Sequence, residues 1–459
     1  MHTQIPLKMK NLPGQNEQKF VFLETFGCQM NENDSDRMLG LLKDIKYARI
    51  NEPEHADLII INTCSIRDKA EQKVYSTLGR FKELKKEKPW LIIGVSGCVA
   101  QQEGAALLKR VPYLDIVFGP HNIHRLKGYL DEVSLKNKRI VSTELFDRID
   151  SDEYSYAAVE TGIKAFVSIM RGCNNFCSYC IVPYTRGREV SRPVSDIIEE
   201  ITLHRDAGVK EVTLIGQNVN SYRGGLEFPG LLKTVAGVEG IERVRFITSH
   251  PKDISEELIY LFKDVPQLCR HLHLPVQSGS NEILRRMRRG YSVEEYRSKV
   301  ELLKRLYPDF ALTTDIIVGF PGESDSDFEK TMELIRSIQF DNIFSFMYSP
   351  RPGTKAAAME DHVTAEIKSV RLKVLQETQR EITFKKGLEL AGKTVEVLVE
   401  GRSKADRLEI CGRTSCNRIV NFPGPGELTG RLADVEITDV LTNSLRGVLA
   451  RPLESKNLN

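Results

Sequence analysis

Six cysteines in this chain are spaced in ways that suit soft-metal chemistry. Cys173, Cys177 and Cys180 fall within Arg171-Gly172-Cys173-Asn174-Asn175-Phe176-Cys177-Ser178-Tyr179-Cys180, a C-x3-C-x2-C spacing. The stretch directly follows an apolar, strand-like run from Ile163 to Met170. Thiolates ligate soft metals and iron–sulfur clusters, and a cluster ordinarily takes four cysteines. Here there are three, with no fourth Cys or His before His204. A structural zinc site needs four closed ligands. Three thiolates instead leave one cluster iron free to bind something else. A zinc knuckle or chance clustering is the competing reading.

The second set, Cys28, Cys64 and Cys98, is dispersed in sequence and takes its meaning from the elements around it. Phe20–Thr25, Leu58–Asn62, Trp90–Val95 and Asp115–Phe118 read as strands; Ser35–Leu42, Asp68 to about Glu87, Ala100–Arg110 and Ile123–Val133 read as helices. Strand–helix alternation of this kind predicts a parallel sheet with right-handed crossovers. Each cysteine lies just past one of the first three strands, so the sheet gathers all three at its carboxyl edge, where open α/β sheets place ligands. Gly27 and Gly97 precede two of them and admit close backbone approach. Buried core thiols, zinc or a redox pair are the alternatives. Core thiols belong more naturally within strands than after their ends, which favours a second metal cluster.

The central region alternates in the same way. Ile163–Met170, Glu211–Ile215, Val244–Thr248, His271–Leu274, Ala311–Val318 and Ile343–Met347 read as strands, with helices such as Ser195–Ala207, Ile254–Phe262, Val293–Leu306 and Asp325–Ile338 between them. Six β/α units are too few for a closed eight-stranded barrel. Polar or glycine-rich loops follow the second strand (Gly216-Gln217-Asn218), the fourth (Leu274 to Ser280), the fifth (Gly319 to Glu323) and the sixth (Tyr348 to Thr354). Each alone is turn chemistry; together they ring one mouth. Arg186–Arg192 and Arg285–Arg289 are basic pieces near it that could position phosphates, a solvated helix face being the alternative for the second. His271 and His273 alternate on a strand, where packing or capping suits them better than ligation.

Composition sets the outer bounds. The chain has 459 residues, 41% hydrophobic and 28% charged, with net charge +2. This is ordinary for globular domains and calls for no strongly basic surface. Nine cysteines, odd in number and unevenly spread, argue against a disulfide framework. Met1–Gln18 lacks the apolar core of a secretory signal and no apolar run approaches a membrane span, so a reduced, cytoplasmic protein is expected. After a charged helix from Ala365 to about Leu390, short strands at Lys393–Glu400, Leu408–Gly412, Arg418–Phe422 and Arg431–Val440 suggest a small β-barrel. Cys269, Cys411 and Cys416 are read as ordinary small residues.

The Cys173–Cys180 stretch resembles the cluster loop of radical S-adenosylmethionine (SAM) enzymes. Thr25-Phe26-Gly27-Cys28-Gln29-Met30-Asn31, Asn62-Thr63-Cys64-Ser65-Ile66-Arg67 and Ser96-Gly97-Cys98 resemble the N-terminal motifs of the methylthiotransferase family among them. The resemblance implies three segments: an α/β domain with a parallel sheet over 19–150, an open (β/α)6 radical SAM barrel over 160–385, and an RNA-binding TRAM-like β-barrel over 390–452. It implies two 4Fe-4S clusters, one on Cys173, Cys177 and Cys180 whose open iron binds SAM, and one on Cys28, Cys64 and Cys98 that holds the sulfur to be transferred. It makes Gln217, Asn218, Gly319 and Glu323 candidates for holding SAM.

Within the family, Arg186–Arg192 and Gly216–Tyr222 look most like the members that methylthiolate C2 of N6-isopentenyladenosine at position 37 of tRNA. Sibling substrates are threonylcarbamoyladenosine in tRNA and an aspartate of a ribosomal protein. The implied partners are a tRNA anticodon stem-loop, an external electron donor and a sulfur source, with the enzyme a monomer off the membrane. A zinc-containing, non-catalytic RNA-binding protein is the reading from another class.

Overall fold

The first apolar runs pair side by side and in parallel. In the computed structural model, which describes residues 18–65, 68–149, 162–360, 363–403, 406 and 408–450, the chain divides into two compact units. One comprises residues 1–145 with 150–159, the other 146–149 with 160–459. The first unit runs β1 (Lys19–Thr25), α1 (Gln29–Asp44), β2 (Tyr47–Arg49), β3 (Leu58–Thr63), α2 (Asp68–Glu87), β4 (Ile92–Gly97), α3 (Cys98–Glu103), α4 (Ala105–Arg110), β5 (Ile116–Phe118), α5 (Leu126–Lys136) and β6 (Ile140–Ser142). Its six strands lie in the order β2-β1-β3-β4-β5-β6, every pair parallel. β3 and β4 are buried along their whole length, as central strands covered on both faces must be. Leu58 and Ile60 pack with Met38, Leu42 and Leu130 on one side. Ile59, Ile61, Ile93 and Val95 pack with Val74, Leu78 and Phe81 on the other.

The second unit begins with β7 (Lys164–Ser168), β8 (Met170–Arg171), α6 (Val182–Thr185), β9 (Val190–Ser191), α7 (Val194–Asp206), β10 (Glu211–Ile215), α8 (Phe228–Ala236) and β11 (Arg243–Phe246). It continues through α9 (Glu256–Asp264), β12 (His271–His273), α10 (Asn281–Met287), α11 (Val293–Leu306), β13 (Ala311–Val318), α12 (Asp325–Ile338), β14 (Asn342–Met347) and α13 (Ala365–Leu388). β7, β10 and β11 form one parallel sheet and β12, β13 and β14 another. A parallel bridge between Val244 and Leu268 joins them. The result is an arc of six strands in sequence order, the expected open barrel. Val167, Val212, Leu214, Val244, Leu272 and Leu312 face the helices in one large apolar cluster. By strand alternation, Glu211, Arg245, His271 and Thr313 face inward, and these buried residues are joined: Arg245 to Glu211 at 3.0 Å and His271 Nε2 to Thr313 Oγ1 at 3.2 Å. The inside of the arc is therefore polar.

The same unit ends in β15 (Thr394–Arg402), β16 (Glu409–Thr414), β17 (Ile419–Pro423), β18 (Leu432–Val440) and β19 (Leu445–Leu449), closed as β15-β16-β17-β19-β18 around Val397, Val399, Ile410, Val420, Phe422 and Val435. This barrel sits against the amino-terminal edge of the parallel strands. Arg243 donates to the Arg413 carbonyl at 2.6 Å and pairs with Glu396 at 2.8 Å. Arg245 donates to the Thr414 and Ser415 carbonyls at 2.7 and 2.8 Å. The Arg270 N–H donates to Ser415 Oγ, and Arg418 pairs with Asp341 at 3.1 Å. Arg243 begins β11, Arg270 and Asp341 immediately precede β12 and β14, and Arg245 reaches the same end from within β11, so the turn at 414–417 closes the end opposite the loops of the mouth.

Candidate thiolate sites and the barrel mouth

Register brings the N-terminal cysteines together. Thr25 is opposite Asn62 and Asn62 opposite Ser96; from that row Cys64 and Cys98 each lie two residues on, and Cys28 three. The turns that carry them are tied to one another. Asn62 Nδ2 donates to the Asn31 carbonyl at 2.7 Å and to Ser35 Oγ at 2.9 Å; Thr63 Oγ1 donates to the Ser96 carbonyl at 2.7 Å. Cys28 is the residue on which α1 begins. Gly27 and Gly97 have φ of +134° and +90°. A Cβ on Gly97 would stand 2.2 Å from the Thr63 carbonyl, and one on Gly27 2.3 Å from the Cys64 Cβ. Both glycines are thus required by close approach, as the sequence suggested. The hydroxyls of Ser65 and Ser96, beside Cys64 and Cys98, are buried with no partner.

The second triad rides on a loop held from three sides. Met170 and Arg171 pair antiparallel with Ser191 and Val190, and the Cys173 N–H donates to the Gly187 carbonyl at 3.1 Å. Gly172, at φ +76°, lies so close to the Arg188 carbonyl that a Cβ would be 1.9 Å from it. Ser178 donates from its N–H to the Met287 carbonyl at 3.0 Å and from Oγ to the Arg286 carbonyl at 2.8 Å, capping the end of α10. Lys252 Nζ donates to Asn175 Oδ1 at 2.8 Å. Burial pushes the Cys173 thiol up to about 11 and the Cys180 thiol up to about 12. Such thiols ionise at neutral pH only when a cation takes the thiolate, as a bound metal does.

The loops at the carboxyl end of the barrel strands carry a concentration of unsatisfied polar groups. Gln217 Oε1, both amide atoms of Asn220, Ser249 Oγ, His250 Nε2, Gln277 Oε1 and Tyr348 Oη are buried without a hydrogen-bond partner. Orphaned buried polar atoms are rare and call for an explanation such as a ligand. The same loops hold strained backbone: Thr248 at φ +68° and Gln277 at φ +73°, a region a β-branched residue enters only when its surroundings impose it. His250 accepts from the Lys252 N–H through Nδ1, and burial lowers its pKa to about 2. The ring is therefore neutral and Nε2 carries the proton.

The four SAM candidates have distinct situations. Gln217 keeps an unpartnered oxygen. Asn218 is occupied: its amide donates to Asp253 at 2.7 Å and accepts from the His250 N–H at 3.2 Å, lashing the second loop to the third. Gly319, at φ +68°, directs its N–H to Glu323 Oε2. Glu323 is buried and pairs with Arg371 at 2.6 Å; burial raises its pKa against that partner. Gly319 and Glu323 thus shape the fifth loop from within.

The basic stretches also resolve. Arg192 is buried and paired to Glu200 at 2.5 Å, so it braces α7 instead of meeting phosphate. Arg186 is buried and Arg188 exposed. Arg285 pairs with Glu282 on an exposed face, whereas Arg289 turns inward and donates to Cys177 Sγ at 3.4 Å. No residue type or spacing set Arg289 apart from its neighbours. His271 and His273 share Thr313 Oγ1, in keeping with a packing role. Among the described residues no three His, Cys, Asp or Glu side chains meet in the arrangement that would hold a single metal ion. An iron–sulfur cluster makes a different demand, one thiolate on each of several irons. The close-approach glycines, the buried thiols and the orphaned polar atoms fit that demand and a polar cofactor beside it.

Comparison with known proteins agrees along the chain. Residues 20–119 match an uncharacterised protein family, UPF0004, residues 167–335 the radical SAM superfamily, and residues 389–450 the TRAM domain. The tRNA-2-methylthio-N(6)-dimethylallyladenosine synthase of Methylococcus capsulatus is 51% identical over 94% of this chain and 95% of its own. That of Syntrophus aciditrophicus is 49% identical over 94% of both, and that of Burkholderia ambifaria 48% over 94% and 97%. Among solved structures, the radical SAM methyltransferase TsrM of Kitasatospora setae superposes with a TM-score of 0.57 at 14% identity, covering 74% of this chain and 77% of that one. At that identity it shows the fold alone.

Proposed function

The chain belongs to the family of tRNA-2-methylthio-N(6)-dimethylallyladenosine synthases, and on that premise we propose how its residues divide the reaction. It is a radical SAM tRNA methylthiotransferase that uses SAM and a 4Fe-4S cluster, and its substrate position is C2 of N6-isopentenyladenosine at position 37. The observation that carries this reading is likeness at about half identity along nearly the whole of both chains. When bound, the first cluster would supply the electron that breaks a C–S bond of SAM into methionine and a deoxyadenosyl radical, and a second cluster would hold the sulfur to be transferred.

Cys173, Cys177 and Cys180 are the ligands of the first cluster, leaving one iron open to SAM. Cys28, Cys64 and Cys98 are the ligands of the second. Gln217, Asn220, Ser249, His250 and Gln277 offer unspent donors and acceptors to SAM and the target base; Asn218, Gly319 and Glu323 keep the loops in shape for them. His250, neutral with its proton on Nε2, donates without competing as a base. C2–H of an adenine is neither acidic nor electrophilic, so these side chains position and exclude water, and none needs to act as an acid or base on that carbon. The target base turns out of the anticodon loop to reach the mouth, which costs less for an unpaired base.

The work divides among 19–150 for sulfur, 160–385 for radical chemistry and 390–452 for tRNA, in a monomer served by an external electron donor and sulfur source. Nucleoside mass spectrometry tests this directly. Anaerobically reconstituted protein is incubated with SAM, sulfide, a reductant and isopentenylated tRNA. A methylthio-isopentenyladenosine peak is expected. Cluster-replete protein that forms neither this product nor deoxyadenosine overturns the reading.

A further inference from the structure

Arg289 is a buried cation with no anion of its own. It is 5% exposed, and among the described residues no carboxylate lies within ion-pair distance of it. Its hydrogen bonds go to the Pro275 carbonyl at 2.8 Å, Tyr291 Oη at 3.1 Å, Tyr179 Oη at 3.5 Å and Cys177 Sγ at 3.4 Å. Burying a charge among neutral groups is costly unless a counter-charge completes the site. The backbone commits Arg289 to this place. Arg288 ends α10 in the left-handed region at φ +57° and Gly290 follows at φ +69°, which turns Arg289 inward while Arg288 stays exposed. Ser178, beside Cys177, is fastened to the last carbonyls of the same helix. The guanidinium and the thiol are therefore parts of one assembled structure.

We propose that Arg289 is a positioning residue that tunes the cluster held by Cys173, Cys177 and Cys180, donating an N–H···S bond to the Cys177 thiolate and raising the cluster's reduction potential. The inference rests on the ligand assignment above and goes beyond it. A cluster that accepts one electron from the external donor gains one negative charge; a fixed positive charge at a ligand sulfur stabilises that reduced form. Hydrogen bonds to the sulfurs, net charge and solvent exposure set such potentials, and burial keeps salt from screening the effect. Arg289 thus eases the first electron transfer through the Cys177 sulfur.

The test is an anaerobic redox titration of the holoenzyme, followed by the part of the electron paramagnetic resonance signal that changes when SAM is added. Arg289→Gln and Arg289→Lys are compared with the parent. Both are expected to keep full iron content and the SAM-responsive signal. Arg289→Gln should shift its midpoint to lower potential, while Arg289→Lys should lie between Gln and parent. SAM cleavage by Arg289→Gln should be slowed several-fold with a weak reductant and recover with a stronger one. An unchanged midpoint overturns the proposal. So does loss of the SAM-responsive cluster in both variants, which would make Arg289 a structural strut. If the parent itself lacks a SAM-responsive signal, the ligand assignment falls and the proposal falls with it.

Discussion

Arg245 donates to the carbonyl of Thr414 across 2.7 Å and 169 residues of sequence. The C-terminal barrel supplies backbone acceptors to a guanidinium buried in the floor of the central barrel, where Glu211 is its only carboxylate within reach among the described residues. The same module that matches the TRAM domain thus closes the floor of the central barrel.

Removing residues 391–459 should therefore do more than weaken tRNA binding. Arg243 and Arg245, 3% and 6% exposed, would lose their carbonyl partners and Arg243 its partner Glu396. Stripping partners from buried charges costs roughly 3–5 kcal/mol. The truncated protein should unfold at lower denaturant, with loss of cluster from the central barrel. Substituting exposed Lys393 or Arg431 to Ala should instead leave the unfolding midpoint unchanged. Equal midpoints for truncated and full-length protein would refute the floor role.

The two triads should separate cleanly. Cys177→Ala should abolish reductive SAM cleavage and leave about half the iron bound. Cys64→Ala should retain deoxyadenosine formation and make no methylthiolated nucleoside. Product from the Cys64 variant would remove the N-terminal thiols from the sulfur-transfer site.

Gly97→Ala probes the crowding at that site. The new Cβ would meet the Thr63 carbonyl at 2.2 Å and Asn62 Oδ1 at 2.6 Å, at φ +90°. Strain of this kind costs about 1–3 kcal/mol and must displace the turn that carries Cys98. Loss of the N-terminal cluster with the SAM-responsive one intact is the expected result, read by iron content and spectroscopy. Gly79→Ala, on α2 with nothing within 4 Å of its Cβ, is the control. It should stabilise by roughly 0.5–1 kcal/mol.

His271 gives the floor a pH dependence. Burial, with Arg245 and His273 nearby, lowers its pKa from 6.5 to about 3. Between those values the unfolded chain binds a proton that the folded chain refuses, so stability is complete above about pH 6.5 and erodes as pH falls. Each pH unit in that window removes up to about 1.4 kcal/mol for this one group. Cluster-free protein should lose stability from pH 7.5 to 5, and His271→Asn should lose less. A variant with the parent's pH slope would contradict the assignment.

Much of this was legible in the residues. The six strand-like runs of the central region are β7 and β10–β14, and the cysteines fall just past strand ends because parallel pairing has one polarity. The three-residue edge strands β2 and β6 were too short to show periodicity. α8, opened by Phe228-Pro229, and β19 likewise lack a clear signal in the sequence. Side-chain roles were harder to read. Arg192 and Arg188 look alike in sequence, yet one is buried on Glu200 and the other is exposed; only tertiary packing distinguishes them. Asn218 is a SAM candidate by resemblance, and its side chain is engaged by Asp253 and the His250 backbone, a partnership the sequence does not show. Arg289 reads as one more member of a basic run until the left-handed residue before it turns it inward.

The strand order β1-β3-β4 also sets a timetable. Chains leave the ribosome amino end first and domains tend to fold as units in that order. The strands that precede all three N-terminal thiols belong to a unit whose apolar core is complete once Ile140 has emerged. The central barrel, by contrast, has its floor completed only by residues near 414. Folding of the first unit therefore has a head start of some hundreds of residues over completion of the central barrel's floor. A nascent chain would thus present Cys28, Cys64 and Cys98 on a folded unit before Cys173, Cys177 and Cys180 belong to a finished barrel.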